Sequence, residues 1–184
     1  MILCYIFNMN DDLDIQALQS PALQNRHLVG LGLSTRQVHV WCAQIGIGGI
    51  DRTEGRWRGF SPLEALAFNV VWELKSRTDV ALSKQTSLFR FLKDSCQFGA
   101  PVLDIWSRGL QPVLSTDLAN VHSLLKASEE DGFHLPLPSP LTVLLDTTPS
   151  IERVIAGVTA GGTEQQKALV QRLIGRREAF TAPA

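Results

Sequence analysis

The sequence predicts an α+β protein, and three observations predict it. Apolar residues recur at helical spacing in several segments of the chain, short β-branched or apolar runs interrupt those segments, and cap residues beside glycine and proline mark the boundaries between them. With 184 residues, 45% hydrophobic and 19% charged, the chain lies in the ordinary globular range and has enough apolar surface to build a core. Its length allows one compact domain or two small ones.

The first helical segment begins at Ser20-Pro21, a capping residue before a proline, with Leu23, His27, Leu28 and Leu31 following near helical spacing. Gly30 and Gly32 interrupt it. Ser34 is the N-cap candidate for a second helix from Thr35 to about Gln44, in which Val38, Trp41 and Cys42 make one face. Thr35, Arg36, Gln37, His39 and Val40 are distributed over the remaining faces. Two short helices joined through a glycine-containing turn read as a helix-turn-helix.

From Ile45 to Ile50 the chain is too rich in glycine and β-branched residues to stay helical, so it turns extended. Ile50-Asp51-Arg52 and Arg56-Trp57-Arg58 flank Thr53-Glu54-Gly55 and read as a small hairpin, a wing beside the helices. Ser61-Pro62-Leu63-Glu64 places a serine at the N-cap, a proline at N1 and a glutamate at N3, which together make a capping box. Leu63, Leu66, Ala67, Val70, Val71 and Leu74 continue it as a helix to about Lys75.

A further helix is expected from Lys84 to about Ser95, with Leu88, Phe89, Phe91 and Leu92 inside. Val102–Trp106 and Pro112–Ser115 read as strands joined at Arg108-Gly109, followed by a helix from Asp117 to about Lys126. Pro136, Pro138 and Pro140 make a loop, Leu141–Leu145 a buried strand, and Pro149 opens a helix that reaches about Val158. Gly161-Gly162 ends that section, and Thr163–Arg177 reads as a last amphipathic helix. The organisation expected is an N-terminal arm over 1–19, a winged helix-turn-helix over 20–97, and a small α/β module over 98–184. The few charges in this last module's strands, with Trp106 among them, point to a surface for self-association or for a protein partner.

Charge follows the same division. The formal net charge is only −1, yet residues 26–90 carry nine Lys/Arg against five acids, while residues 1–25 carry three acids and no Lys/Arg, and 91–150 carry seven acids against three basic residues. A basic segment that coincides with a helix-turn-helix is what nucleic-acid binding requires, since distribution matters more than the total. Arg36, Gln37 and His39 offer donors on the second helix, and arginine and glutamine can read base edges bidentately. Arg52, Arg56 and Arg58 on the hairpin suit phosphate contacts that set affinity and salt dependence.

Cys4, Cys42 and Cys96 are odd in number and widely spaced, which indicates neither a disulfide framework nor a zinc site and fits a reducing cytoplasm. The opening MILCYIF is too short for a span and has neither a basic flank nor a cleavage site; it is either an edge strand or an extension before Met9. His27, His39, His122 and His134 are dispersed, Asp104, Asp117 and Asp146 fit strand ends or helix caps, and no nucleophile or metalloprotease motif appears, so no enzyme, cofactor or metal is expected. Gly46-x-Gly48-Gly49 follows a helix and lacks a lysine, unlike a phosphate-binding loop.

Leu33–Trp41 followed by Ile45-Gly46-Ile47 resembles the recognition helix of the mercury-resistance-regulator (MerR) type, in which serine caps a helix that ends in an aromatic and a glycine-containing exit. Trp57-Arg58-Gly59-Phe60-Ser61-Pro62 is similar to the same family's signature that closes the wing and caps the next helix. The resemblance implies that Arg58 and His39 meet the DNA backbone with Trp41 lying against it, and that Ser34, Thr35, Arg36, Gln37, Arg52, Arg56 and Trp57 complete the DNA-facing set. Trp41 and Phe60 serve packing first, while Trp57 either covers the core or lies along the sugar-phosphate. No long coiled-coil helix follows and no effector-binding cysteines are present, so metal sensing is not implied. The function expected is that of a cytoplasmic transcriptional regulator, a repressor binding double-stranded DNA as a homodimer. The alternatives are a phage or mobile-element protein of excisionase or packaging type, or an antitoxin or adaptor that works through its C-terminal module.

Overall fold

The structure is a computed structural model, and it describes residues 14–28, 36, 38–40, 42, 49–51, 56–78, 92, 98–117 and 142–182. In chain order the elements are helix α1 (Ile15–Gln19), a 3-10 turn η1 (Asn25–His27), strands β1 (Gly49–Asp51) and β2 (Arg56–Arg58), helices α2 (Pro62–Thr78) and α3 (Ala100–Ser107), strands β3 (Val113–Asp117) and β4 (Thr142–Asp146), and helices α4 (Thr148–Gly161) and α5 (Glu164–Thr181). Arg36, Val38–Val40 and Cys42 are helical as well. The class is α+β, mostly helical. Its strands form two separate antiparallel ribbons, β1 with β2 and β3 with β4.

The centre of the packing is α2. Ser61 through Val71 is an unbroken run of buried residues, because this sequence is apolar on every face and not on a single stripe. Its start is the capping box expected there: Ser61 N–H donates to the Glu64 carboxylate at 2.9 Å, and Glu64 N–H donates to Ser61 Oγ at 3.1 Å. α1 and α4 lie against it, and Glu73 near its C-terminal end forms an ion pair with Arg153 of α4 and a second, at 3.5 Å, with Arg77.

The helices that close the molecule have simple periodicities. α4 buries Ser150, Ile151, Val154, Gly157 and Val158, an i, i+3, i+4, i+7 stripe. α5 buries Gln166, Leu169, Val170 and Leu173. Its N-terminus is a second capping box, in which Thr163 Oγ1 accepts from Gln166 N–H at 3.2 Å and Gln166 Oε1 accepts from Thr163 N–H at 3.0 Å.

The structure corrects two sequence expectations. Ser20-Pro21 ends a helix and does not begin one: Asp14 caps α1 by accepting from Ala17 N–H at 3.0 Å, and Ser20 closes it with its N–H on the Gln16 carbonyl at 3.0 Å. Pro21 then stops the helix, Leu23 is extended, and only one 3-10 turn comes after it.

The second correction concerns Val102–Trp106, which is the body of α3 and not a strand. The short apolar run fits either period, but Pro101 sits in the first turn, and Val102, Leu103 and Trp106 fall on one buried helical face. Trp106 is therefore not a surface residue. It is 4% exposed, with the Arg177 guanidinium stacked 4.7 Å from its ring centroid and Arg177 Nη1 donating to its carbonyl at 2.8 Å.

The later expectations agree better with the fold. β4 and α4 lie close to the bounds expected for them, Gly162 caps α4, and α5 runs four residues beyond Arg177. Leu92 is helical and buried, whereas the rest of the Lys84–Ser95 helix, all of the Asp117–Lys126 helix but its first residue, the proline-rich loop and the opening MILCYIF lie outside the described residues. Among the described residues no helix is long and apolar enough to cross a membrane, and no group of three His, Cys, Asp or Glu stands together as a metal site.

Candidate nucleic-acid interface

The helical residues between 36 and 42 separate into two sides. Val38 and Cys42, four apart, are each 3% exposed and belong to the core. Arg36 and Val40, also four apart and displaced by about half a turn, face solvent, with Val40 47% exposed. His39 lies between the two sides and is half-buried. A helix held by one face and offering an arginine on the other has the form that a groove-reading helix needs. Ser34, Thr35, Gln37 and Trp41 lie outside the described residues.

Cys42 has an environment that makes it structural. Burial, with the Glu64 carboxylate nearby, pushes its thiol up to about 11, so at neutral pH it is a small protonated hydrophobe.

The hairpin has its own register. Gly49 pairs with Arg58, Ile50 with Trp57 and Asp51 with Arg56, so four residues, Arg52 to Gly55, connect the strands. Alternation along a strand puts positions 56 and 58 on one face of the ribbon and position 57 on the other. Arg52 lies outside the described residues.

The segment after β2 ties the ribbon to the body of the protein. The Phe60 carbonyl accepts from Ala22 N–H at 3.1 Å and Leu23 N–H at 2.9 Å, and Phe60 N–H donates to the Leu23 carbonyl at 2.7 Å. Phe60 is 1% exposed, with its ring centroid 6.2 Å from that of Phe68. Gly59 is needed at the crossing: a Cβ there would lie 3.1 Å from the Leu23 carbonyl oxygen and 3.3 Å from Ala22 N. The chain thus passes from the arginine-bearing strand, through a glycine at a close backbone approach and a buried aromatic, directly into the Ser61–Glu64 capping box. Trp57 to Pro62 is a single structural device.

The residues that hold this device from the other side are not evident in the sequence, which reads Leu23 as helical and His27 as one of several dispersed histidines. His27 Nδ1 accepts from Gln24 N–H at 3.0 Å, and the His27 N–H donates to the Gln24 carbonyl at 2.8 Å. The signal present in the sequence is Gln24-x-x-His27 soon after Pro21, a cap spacing at the start of a short turn.

No family model, curated protein or solved structure matches the chain.

Proposed function

We propose that the chain is a sequence-specific double-stranded DNA-binding transcriptional regulator, a repressor that acts in the cytoplasm as a homodimer and has no catalytic role. In this reading residues 20–97 work as a winged helix-turn-helix. The observation that carries it is the antiparallel pairing of Gly49–Asp51 with Arg56–Arg58, anchored through Phe60 and placed in sequence just after a helical segment that exposes Arg36 and buries Val38 and Cys42. Arg36, Gln37 and His39, with Ser34 and Thr35 at the helix start, address the major groove, while Arg52, Arg56, Trp57 and Arg58 address the backbone. Self-association is supported by Leu110, Val113 and Phe180, which are 58, 52 and 61% exposed; Phe180 lies beside Gly109, next to Leu110 in sequence.

Salt-dependent binding to nonspecific duplex DNA tests the reading. Two lost phosphate contacts in an Arg56→Ala plus Arg58→Ala variant lower the slope of log K against log salt by about 2. Absence of binding in dilute salt, or binding that the double variant leaves unchanged, counts against it. Selection of bound sequences from a random pool then supplies the site, and sedimentation of the full chain tests the dimer, against which a monomer at high concentration would stand.

A further inference from the structure

We propose that His27 is an acid-sensitive latch: neutral, it fastens the η1 turn to α4, and protonated, it lets go of the turn and of the wing strand that the residues before the turn hold in place.

The geometry that carries this begins with the seat of the histidine. His27 is 8% exposed and rests on a pair of glycines one turn apart on α4. A Cβ at Gly161 would lie 1.9 Å from His27 Cε1, and one at Gly157 would lie 2.3 Å from the His27 carbonyl oxygen. Both positions must be bare for the turn to lie against the helix. The ring is also the cap of its own turn, since Nδ1 accepts the Gln24 N–H at 3.0 Å. That bond assigns the neutral tautomer with its proton on Nε2.

Protonation takes the lone pair on which this cap depends. The new Nδ1–H points at the Gln24 N–H, the cap is lost, and a charge arises in a closed seat beside another cation. Arg26 Nε stands 3.1 Å from Nε2. On α4 the facing positions are glycines; the ionisable residues of that helix are Glu152, which is exposed, and Arg153, held by Glu73. Burial first and Arg26 second hold the imidazole below its usual range. The folded protein therefore excludes the proton that the unfolded chain accepts near 6.5, so the latch is closed above that pH and is strained as pH falls below it.

The latch reaches the wing through three residues. Ala22 and Leu23, immediately before Gln24, make the bonds to Phe60 that tie β2 to the body. Opening the Gln24–His27 cap frees that stretch, and with it the anchor of the arginine-bearing strand. The consequence for DNA rests on the reading in the preceding subsection: acidification weakens binding, against the general trend, because a protein gaining positive charge should bind DNA more tightly.

Hydrogen exchange on the full chain, corrected for intrinsic rates and measured at about pH 7.5 and about pH 5.5 to bracket the histidine range, tests the latch without DNA. The expected result is a severalfold loss of protection at the lower pH in peptides covering 22–28 and 58–61, absent from His27→Gln, with DNA retention at fixed salt falling in parallel in the wild type alone. Protection that is independent of pH, or equally dependent on it in His27→Gln, overturns the latch. Should His27→Gln fail to fold, the wild type decides by NMR: the His27 ring, the Gln24 amide and the Gly161 amide titrate together if the latch exists, and separately if it does not. Loss of protection without DNA binding at either pH upholds the latch and removes the DNA reading.

Discussion

Gln166 donates its side-chain amide to the main-chain carbonyl of Ser20 at 2.8 Å, although 146 positions separate them. The same nitrogen donates to the Ala17 carbonyl at 2.9 Å, while Oε1 accepts from Thr163 N–H. One buried amide thus completes the capping box at the N-terminus of α5 and satisfies two orphan carbonyls where α1 ends. Gln165 of the same turn reaches the Asp14 carboxylate, which caps the other end of α1.

Substituting Gln166 by alanine leaves those two carbonyls and the Thr163 amide without their partner. The expected loss is about 2 to 4 kcal/mol, the sum of a helix cap and buried groups left unsatisfied. Gln166→Glu separates the two roles: its carboxylate still accepts from Thr163 but offers no hydrogen to Ala17 or Ser20 and repels their oxygens. Urea unfolding should find Gln166→Glu no better than Gln166→Ala. A glutamate variant close to wild type would show that the bonds to α1 contribute little.

The glycines of α4 and α5 predict opposite signs for one substitution. Gly175 in α5 has no atom within 4 Å of a built Cβ, so Gly175→Ala should stabilise by up to about 1 kcal/mol, the ordinary helical advantage of alanine over glycine. At Gly157 the Cβ would meet the backbone oxygen of His27 at 2.3 Å, which cannot move without lifting η1 off the helix. Gly157→Ala should lower the midpoint by the cost of an overpacked contact, about 1 to 3 kcal/mol. Thermal or urea melts of the two single variants suffice; a shift of the same sign in both would contradict the close approach.

How much of the fold is legible in the sequence varies with the kind of signal. The Ser61–Glu64 box, β4, α4 and α5 are readable because caps and sustained periodicity are local properties of the chain. Val102–Trp106 is not, since five apolar residues in a row satisfy both periods and only the packing of Trp106 under Arg177 decides between them. Leu23 is misread for a different reason: its extended conformation depends on Phe60, thirty-seven positions away, and nothing adjacent to it states that. In the candidate interface, the inward side of Val38 and Cys42 and the outward side of Arg36 and Val40 come from helical spacing alone. The pairing of Gly59 and Phe60 with Ala22 and Leu23 is a long-range relation and cannot be read there.

Phe60 offers a test of that long-range relation. Truncation to alanine removes a fully buried ring and its contact with Phe68, and is expected to cost about 3 to 5 kcal/mol. Phe60→Leu keeps most of the apolar volume and leaves the main-chain bonds to Leu23 in place, so it should cost distinctly less, about 1.5 kcal/mol or under. If the backbone bonds are what hold the wing strand, amide protection at Leu23 and Phe60 should survive in Phe60→Leu even as overall stability declines. Loss of protection at both amides in this milder variant would assign the anchoring to the ring instead.

Cys42 predicts a specific alkaline limb in stability. Its thiol ionises near 9 in an unfolded chain and only near 11 in the fold, so between these values the unfolded state loses a proton that the native state keeps. Because the folded pKa is the raised one, the stabilisation is fully present below pH 9 and is lost as pH rises toward 11. Subtracting the profile of Cys42→Ala from that of the wild type isolates this limb from the lysines and the tyrosine that also titrate there, and a flat difference would show that burial does not act on the thiol. The same environment makes Cys42 slow to alkylate. In a chain carrying Cys4→Ser and Cys96→Ser, the single remaining thiol should react with iodoacetamide at a rate that tracks unfolding, rising steeply with urea. A fast reaction in the absence of denaturant would mean that the helix bearing Arg36 does not press its Val38–Cys42 face into the core, and the surface offered to DNA would then be a different one.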